Sequence, residues 1–65
     1  MNEEQDLLIR KIEQQLENLM PLDDDLSVQY EYDLYDEDGE PIVELFTEDL
    51  LEEILEHINS IETNQ

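Results

Sequence analysis

The sequence predicts a small α+β domain in the order helix, β-hairpin, helix (αββα), with two amphipathic helices packed on one face of a two-stranded antiparallel hairpin. Three observations carry this expectation. Apolar residues recur at helical spacing over residues 8–20 and again over 50–61, they alternate with polar residues in between, and the dipeptide Asp38-Gly39 lies in the alternating stretch. The length of 65 residues allows one domain, spanning residues 1–65.

Asn2 is placed to cap the first helix, with Gln5 three residues later able to reach back. Leu8, Ile12, Leu16 and Leu19 form the apolar stripe, widened by Ile9 and Met20. Pro21 ends the helix, because the residue before a proline is pushed out of the helical region. Leu22 to Asp25 then reads as a short acidic connection. From Leu26 the period becomes two, with Val28, Tyr30, Tyr32 and Leu34 alternating with Gln29, Glu31, Asp33 and Tyr35. Asp38-Gly39 suits a hairpin turn, since glycine tolerates the positive φ that a type I′ turn demands. Centring the turn there pairs Leu34 with Val43, Tyr32 with Leu45, and Asp33 with Glu44; a longer loop over Asp36 to Pro41 would shift that register. The face made of Val28, Tyr30, Tyr32, Leu34, Val43 and Leu45 would lie under the helices. The other face would carry Tyr35, Ile42 and Phe46 among Glu31, Asp33 and Glu44. Thr47 is the expected cap of the second helix, with Glu48 and Asp49 in the first turn, where the helix dipole favours acids. Its stripe is Leu51, Ile54, Ile58 and Ile61, flanked by Leu50 and Leu55.

The composition is dominated by acid: 21 Asp and Glu against 2 Lys and Arg, a formal net charge of -19. Strong charge with a mean hydropathy of -0.67 is a signature of disorder. Leu, Ile, Val and Phe nevertheless make up about 31% of the chain, above the roughly 20% expected of disordered chains, and they are periodic. A folded domain follows. Its core is marginal at this length, and apolar stripes on three elements predict a homodimer as the remedy.

The charge also excludes functions. Binding nucleic acid or an anionic membrane leaflet needs cations, and the chain has only Arg10 and Lys11. No apolar run approaches the roughly 20 residues of a membrane span, and the first residues do not resemble a signal peptide. The chain has no cysteine, hence no disulfide, thiolate zinc site or thiol chemistry. These absences predict a cytoplasmic protein with no membrane association.

Asp36-Glu37-Asp38-Gly39-Glu40 invites a calcium reading. An EF-hand loop with Gly39 at its sixth position would put Leu34 and Leu45 where oxygen ligands are required, so turn chemistry is the better account and no metal or cofactor is expected. His57, the sole histidine, lacks a second histidine, cysteine or nucleophile at supporting spacing and reads as a solvent-facing side chain beside Glu53. Carboxylate pairs are too abundant to be informative, and so small a domain offers little substrate cleft. The sequence points away from an enzyme, with no catalytic residue.

The charge pattern is the informative feature. Glu48, Glu52 and Glu56 follow at i, i+4, as do Asp49 and Glu53, and Glu13 and Glu17. Each like-charged pair costs an isolated helix a few tenths of a kcal/mol. A helix selected only for solubility would interleave lysines, and residues 47–65 contain none. A compact protein of 7.8 kDa exposes about 4,400 Å². Spreading -19 over that area gives about one net charge per 230 Å². Duplex DNA, at one charge per 1.7 Å of axis and a radius of about 10 Å, carries roughly one per 110 Å².

In size, acidity and helix-plus-hairpin character the whole chain resembles the small acidic DNA-mimic proteins, many of them phage-encoded. These include uracil-DNA glycosylase inhibitors, antirestriction and anti-CRISPR proteins, and inhibitors of nucleoid proteins or RNA polymerase. The resemblance is one of class. The Glu-Ser-Ile strand motif of one glycosylase-inhibitor family is absent from Leu26-Ser27-Val28-Gln29-Tyr30-Glu31-Tyr32, and no functional residue is carried over. It implies a non-catalytic inhibitor that occupies the basic nucleic-acid-binding surface of a host protein and binds no nucleic acid itself. The expected contacts are Glu48, Asp49, Glu52, Glu53 and Glu56 on the second helix, Glu31, Asp33 and Glu44 on the hairpin, and Asp36, Glu37, Asp38 and Glu40 at its tip. Tyr35 and Phe46 would add apolar anchoring. The alternative is an acidic adaptor or anti-regulator that binds mainly through apolar helix faces.

Overall fold

The computed structural model describes residues 3–64, and the hairpin is not there. The chain runs α1 (Glu3–Leu19), α2 (Asp24–Leu34), a 3-10 turn at Val43–Leu45 and α3 (Glu48–Thr63), an all-α architecture without a sheet among the described residues. The α+β expectation is therefore corrected to three helices.

The outer helices form as their stripes predict. α1 buries Ile9, Ile12, Leu16 and Leu19, while Met20, expected to widen the stripe, is exposed. The predicted Asn2 cap lies outside the described residues. At Pro21 the chain turns back tightly. The amides of Leu22 and Asp23 both donate to the Leu19 carbonyl, at 2.9 and 2.8 Å, and the Asp23 carboxylate accepts from Leu26 N at 3.1 Å as the cap of α2. Of the expected acidic connection, Asp24 and Asp25 are thus the start of α2 and Asp23 is its cap. In α3 the Thr47 hydroxyl accepts from Leu50 N at 3.1 Å, Ile54 is wholly buried, and Leu51, Ile58 and Ile61 are half-buried.

The segment read as a strand is α2, and the reason lies in its period. Two steps along an α-helix rotate a side chain by roughly 200°, so residues alternating at period two fall on opposite helix faces. Leu26, Tyr30 and Leu34 turn inward, whereas Val28 and Tyr32 turn outward and are 40% and 82% exposed. Ser27 is fully buried on the inner side and donates to the Leu16 carbonyl at 3.2 Å, so a small side chain sits where α2 meets α1. The β preference of Val and Tyr yields here to a capped helix with a burial partner.

A turn forms at Gly39, but it is not the expected type I′ turn centred on Asp38-Gly39: Asp38 does not share the positive φ, and the Gly39 amide donates to the Asp36 carbonyl at 2.9 Å, which puts Glu37 and Asp38 at the centre. Gly39 has φ +82°, and the Asp36 carboxylate accepts from the amides of Asp38 and Glu40 at 2.9 and 3.0 Å. It closes a loop over residues 36–40 with one antiparallel bridge, Tyr35 to Pro41, instead of the expected pairing of Leu34 with Val43. Proline has no amide to extend a ladder, and residues 43–45 curl into the 3-10 turn. Gln5 Nε2 holds that turn to α1 by donating to the Val43 carbonyl at 3.1 Å. Phe46, expected on an outer sheet face, is instead 1% exposed and joins Ile9, Ile12, Leu16, Leu19, Leu34 and Ile54 in the core.

The molecule is thin, with extents of 40 × 24 × 14 Å and a surface of 5001 Å². A compact protein of its mass would expose about 4,400 Å². The exposed sides of the helices hold most of the acids, and Asp36, Glu37, Asp38, Glu40 and Glu44 lie outside the helices.

Candidate interaction surface

Nineteen of the 21 carboxylates are exposed; Asp6 is half-buried, as is the helix cap Asp23. Only two cationic side chains, Arg10 and Lys11, are available to pair with them. A net charge of -19 over 5001 Å² is about one net charge per 260 Å², about two-fifths of the density of duplex DNA.

The five expected contact acids of α3 divide into two groups. Glu48, Glu52 and Glu56 rise along the side of the helix opposite Ile54, with Asp49 beside them, and all four are exposed. Glu53 lies on the flank towards α2, where its carboxylate accepts from the Tyr30 hydroxyl at 2.6 Å. His57, one turn on, is half-buried with its ring edge-on to Tyr30 at 6.2 Å, not solvent-facing as its sequence context suggests. Glu53 therefore helps hold α2 to α3.

The expected hairpin acids are exposed but differently arranged. Glu31 and Asp33 belong to α2 and Glu44 to the 3-10 turn, so Asp33 and Glu44 do not oppose each other across a ladder. Asp36, Glu37, Asp38 and Glu40 crowd the exposed loop. The apolar anchors are corrected outright. Phe46 is core, and Tyr35 is half-buried, edge-on to Phe46 at 5.9 Å, with its hydroxyl donating to Glu13 at 2.7 Å. The exposed large apolar side chains are instead Leu7 on α1, Met20 just after it, Val28 and Tyr32 on α2, Leu45 in the 3-10 turn and Leu55 on α3, the last beside Glu52, Glu56 and Asn59 in a shallow hollow.

Sequence reasoning missed both tyrosine–carboxylate bonds, which join residues 23 and 22 positions apart. No local pattern signals such a pair. Each phenol is pushed well above its ordinary value of 10.0, first by burial and then by the hydrogen bond and charge of its carboxylate; the Glu31 charge adds to the effect at Tyr35. A folded pKa above the unfolded one means stability that is complete below the unfolded value and lost as pH rises beyond it. We therefore expect helix content to fall as pH is raised above 10, with ionisation of Tyr30 and Tyr35 accompanying the loss. Parallel titration of phenolate absorbance and circular dichroism checks this. If Tyr30→Phe/Tyr35→Phe showed the same alkaline transition as the parent, the linkage would be refuted.

Among the described residues no three His, Cys, Asp or Glu side chains gather as metal ligands, and no helix is long and apolar enough to cross a membrane. No family model matches the chain, and no curated protein or solved structure is significantly similar to it.

Proposed function

We propose that this protein is a non-catalytic DNA-mimic inhibitor that occupies the basic nucleic-acid-binding surface of another protein. The observation that supports it most is a surface with nineteen exposed carboxylates and two cationic side chains to neutralise them. Folding such a surface costs repulsion that a structural role does not require, whereas a partner offering lysines and arginines reverses the cost. The thin three-helix shape supports the same reading, because it spreads most of the acids over the exposed sides of the helices. The outer row Glu48, Glu52 and Glu56, with Asp49, is the best-formed contact surface. Glu31, Asp33, Glu44 and the loop acids are secondary, and Glu53 contributes less because it is engaged with Tyr30.

The test is displacement of fluorescent duplex DNA from a panel of purified nucleoid, repair, restriction, CRISPR and transcription proteins, at salt from 0.05 to 0.3 M. The protein is expected to release duplex from at least one of them, with affinity falling steeply as salt rises, and to bind no duplex alone. No displacement across the panel at 0.05 M salt would refute the proposal. Displacement indifferent to salt would favour an adaptor that binds through apolar faces such as Val28, Tyr32 and Leu55.

A further inference from the structure

Val28 and Tyr32, one turn apart, form the outward side of α2, and Tyr32 is 82% exposed. Together with Glu31, Tyr35 and Asp36 they line a shallow hollow. Two of its walls are already fixed. The Tyr35 hydroxyl donates to Glu13 at 2.7 Å, and Asp36 Oδ1 accepts from the Asp38 and Glu40 amides at 2.9 and 3.0 Å, which leaves Oδ2 for an incoming donor. The chain's own cations line other hollows, Lys11 beside Leu8 and Glu48, and Arg10 beside Leu7. An exposed aromatic ring, two carboxylates and the apolar Val28 lining one hollow match one side chain best. A guanidinium is planar, weakly hydrated, stacks on rings and donates in a fork to carboxylates; a lysine ammonium is compact and strongly hydrated.

We propose that this hollow receives an arginine side chain of a cationic protein partner, its guanidinium stacked on Tyr32 and hydrogen-bonded to Glu31 and Asp36. The proposal rests on the reading of the partner as a basic protein, and charge complementarity selects the occupant. Asp36 is held in place before binding, so the ordering cost of capture falls on the exposed side chains of Tyr32 and Glu31.

Nona-arginine and nona-lysine peptides are the probes, titrated at 0.15 M salt by calorimetry and by amide NMR shifts into the parent, Tyr32→Ala, Tyr32→Phe and Glu48→Gln/Glu52→Gln/Glu56→Gln. The arginine peptide is expected to bind more tightly than the lysine peptide, with shifts centred on residues 28–36. Tyr32→Ala should weaken the arginine peptide roughly two- to fivefold and leave the lysine peptide unchanged. Tyr32→Phe, which keeps the ring, should retain the preference, and the triple variant should weaken both peptides alike. Equal affinity of the two peptides, or a preference that survives Tyr32→Ala, would overturn the proposal. The peptides report on the hollow without any nucleic-acid-binding protein. Arginine preference without duplex displacement would therefore count against the inhibitor reading alone, and displacement without the preference against the arginine hollow alone.

Discussion

Phe46→Ala is expected to destabilise the protein severely, removing from about a third to all of its folding stability. Phe46 is 1% exposed, packs edge-on to Tyr35 and is one of seven buried apolar side chains. Truncating a buried phenylalanine costs about 3–5 kcal/mol, while a 65-residue domain has roughly 3–10 kcal/mol of stability in total. A melt followed at 222 nm should show Tm lower by about 15 °C or more, or no cooperative transition at all. Had Phe46 lain on the outer face of a hairpin, the same change would weaken partner binding and spare the fold. A parent-like melt for Phe46→Ala would therefore contradict the helical architecture.

Glu48→Gln/Glu52→Gln/Glu56→Gln is expected to do the reverse, losing competition and keeping the fold. Glutamine has nearly the helix propensity of glutamate, and the substitution removes two like-charged i, i+4 contacts from the outer row of α3. The variant should melt at or slightly above the temperature of the parent. In the duplex-displacement assay it should be weaker by roughly tenfold or more at low salt, since three charge contacts at about 0.5–1 kcal/mol each are lost, and its salt dependence should be shallower. Glu53 is left out of the set because its carboxylate accepts from Tyr30, so its change would mix binding with loosening of α2 against α3. Asp33→Asn/Glu44→Gln makes the parallel test on α2 and the 3-10 turn. If both variants compete like the parent at several salt concentrations, the contact surface is elsewhere and the apolar-adaptor reading moves ahead.

Where each reading succeeded depends on the range of the interactions behind it. The α1 and α3 stripes, the stop at Pro21, the Thr47 cap and the positive φ of Gly39 are set within a few residues, so local spacing reveals them. The acidic surface was equally legible, because 21 carboxylates cannot be buried in a domain this small and two cations cannot mask them. The stretch from Leu26 to Leu34 was not, since Val28, Tyr30, Tyr32 and Leu34 fit a strand in one register and two opposed helix faces in the other. The Asp23 cap was the local sign favouring the helix.

The sequence by itself determined a folded acidic chain with two amphipathic helices, a glycine turn between them and dense surface charge. Only the tertiary structure decided that the middle segment is a helix, that Phe46 is core and Tyr32 surface, and that Glu13 and Glu53 act as acceptors for Tyr35 and Tyr30. The physical reason is that burial is a property of the assembled chain. Val28 and Tyr32 face outward because Leu26, Ser27, Tyr30 and Leu34 supply the side that packs inward, with Ser27 allowing close approach to α1 at the Leu16 carbonyl. No neighbour in sequence specifies that contact.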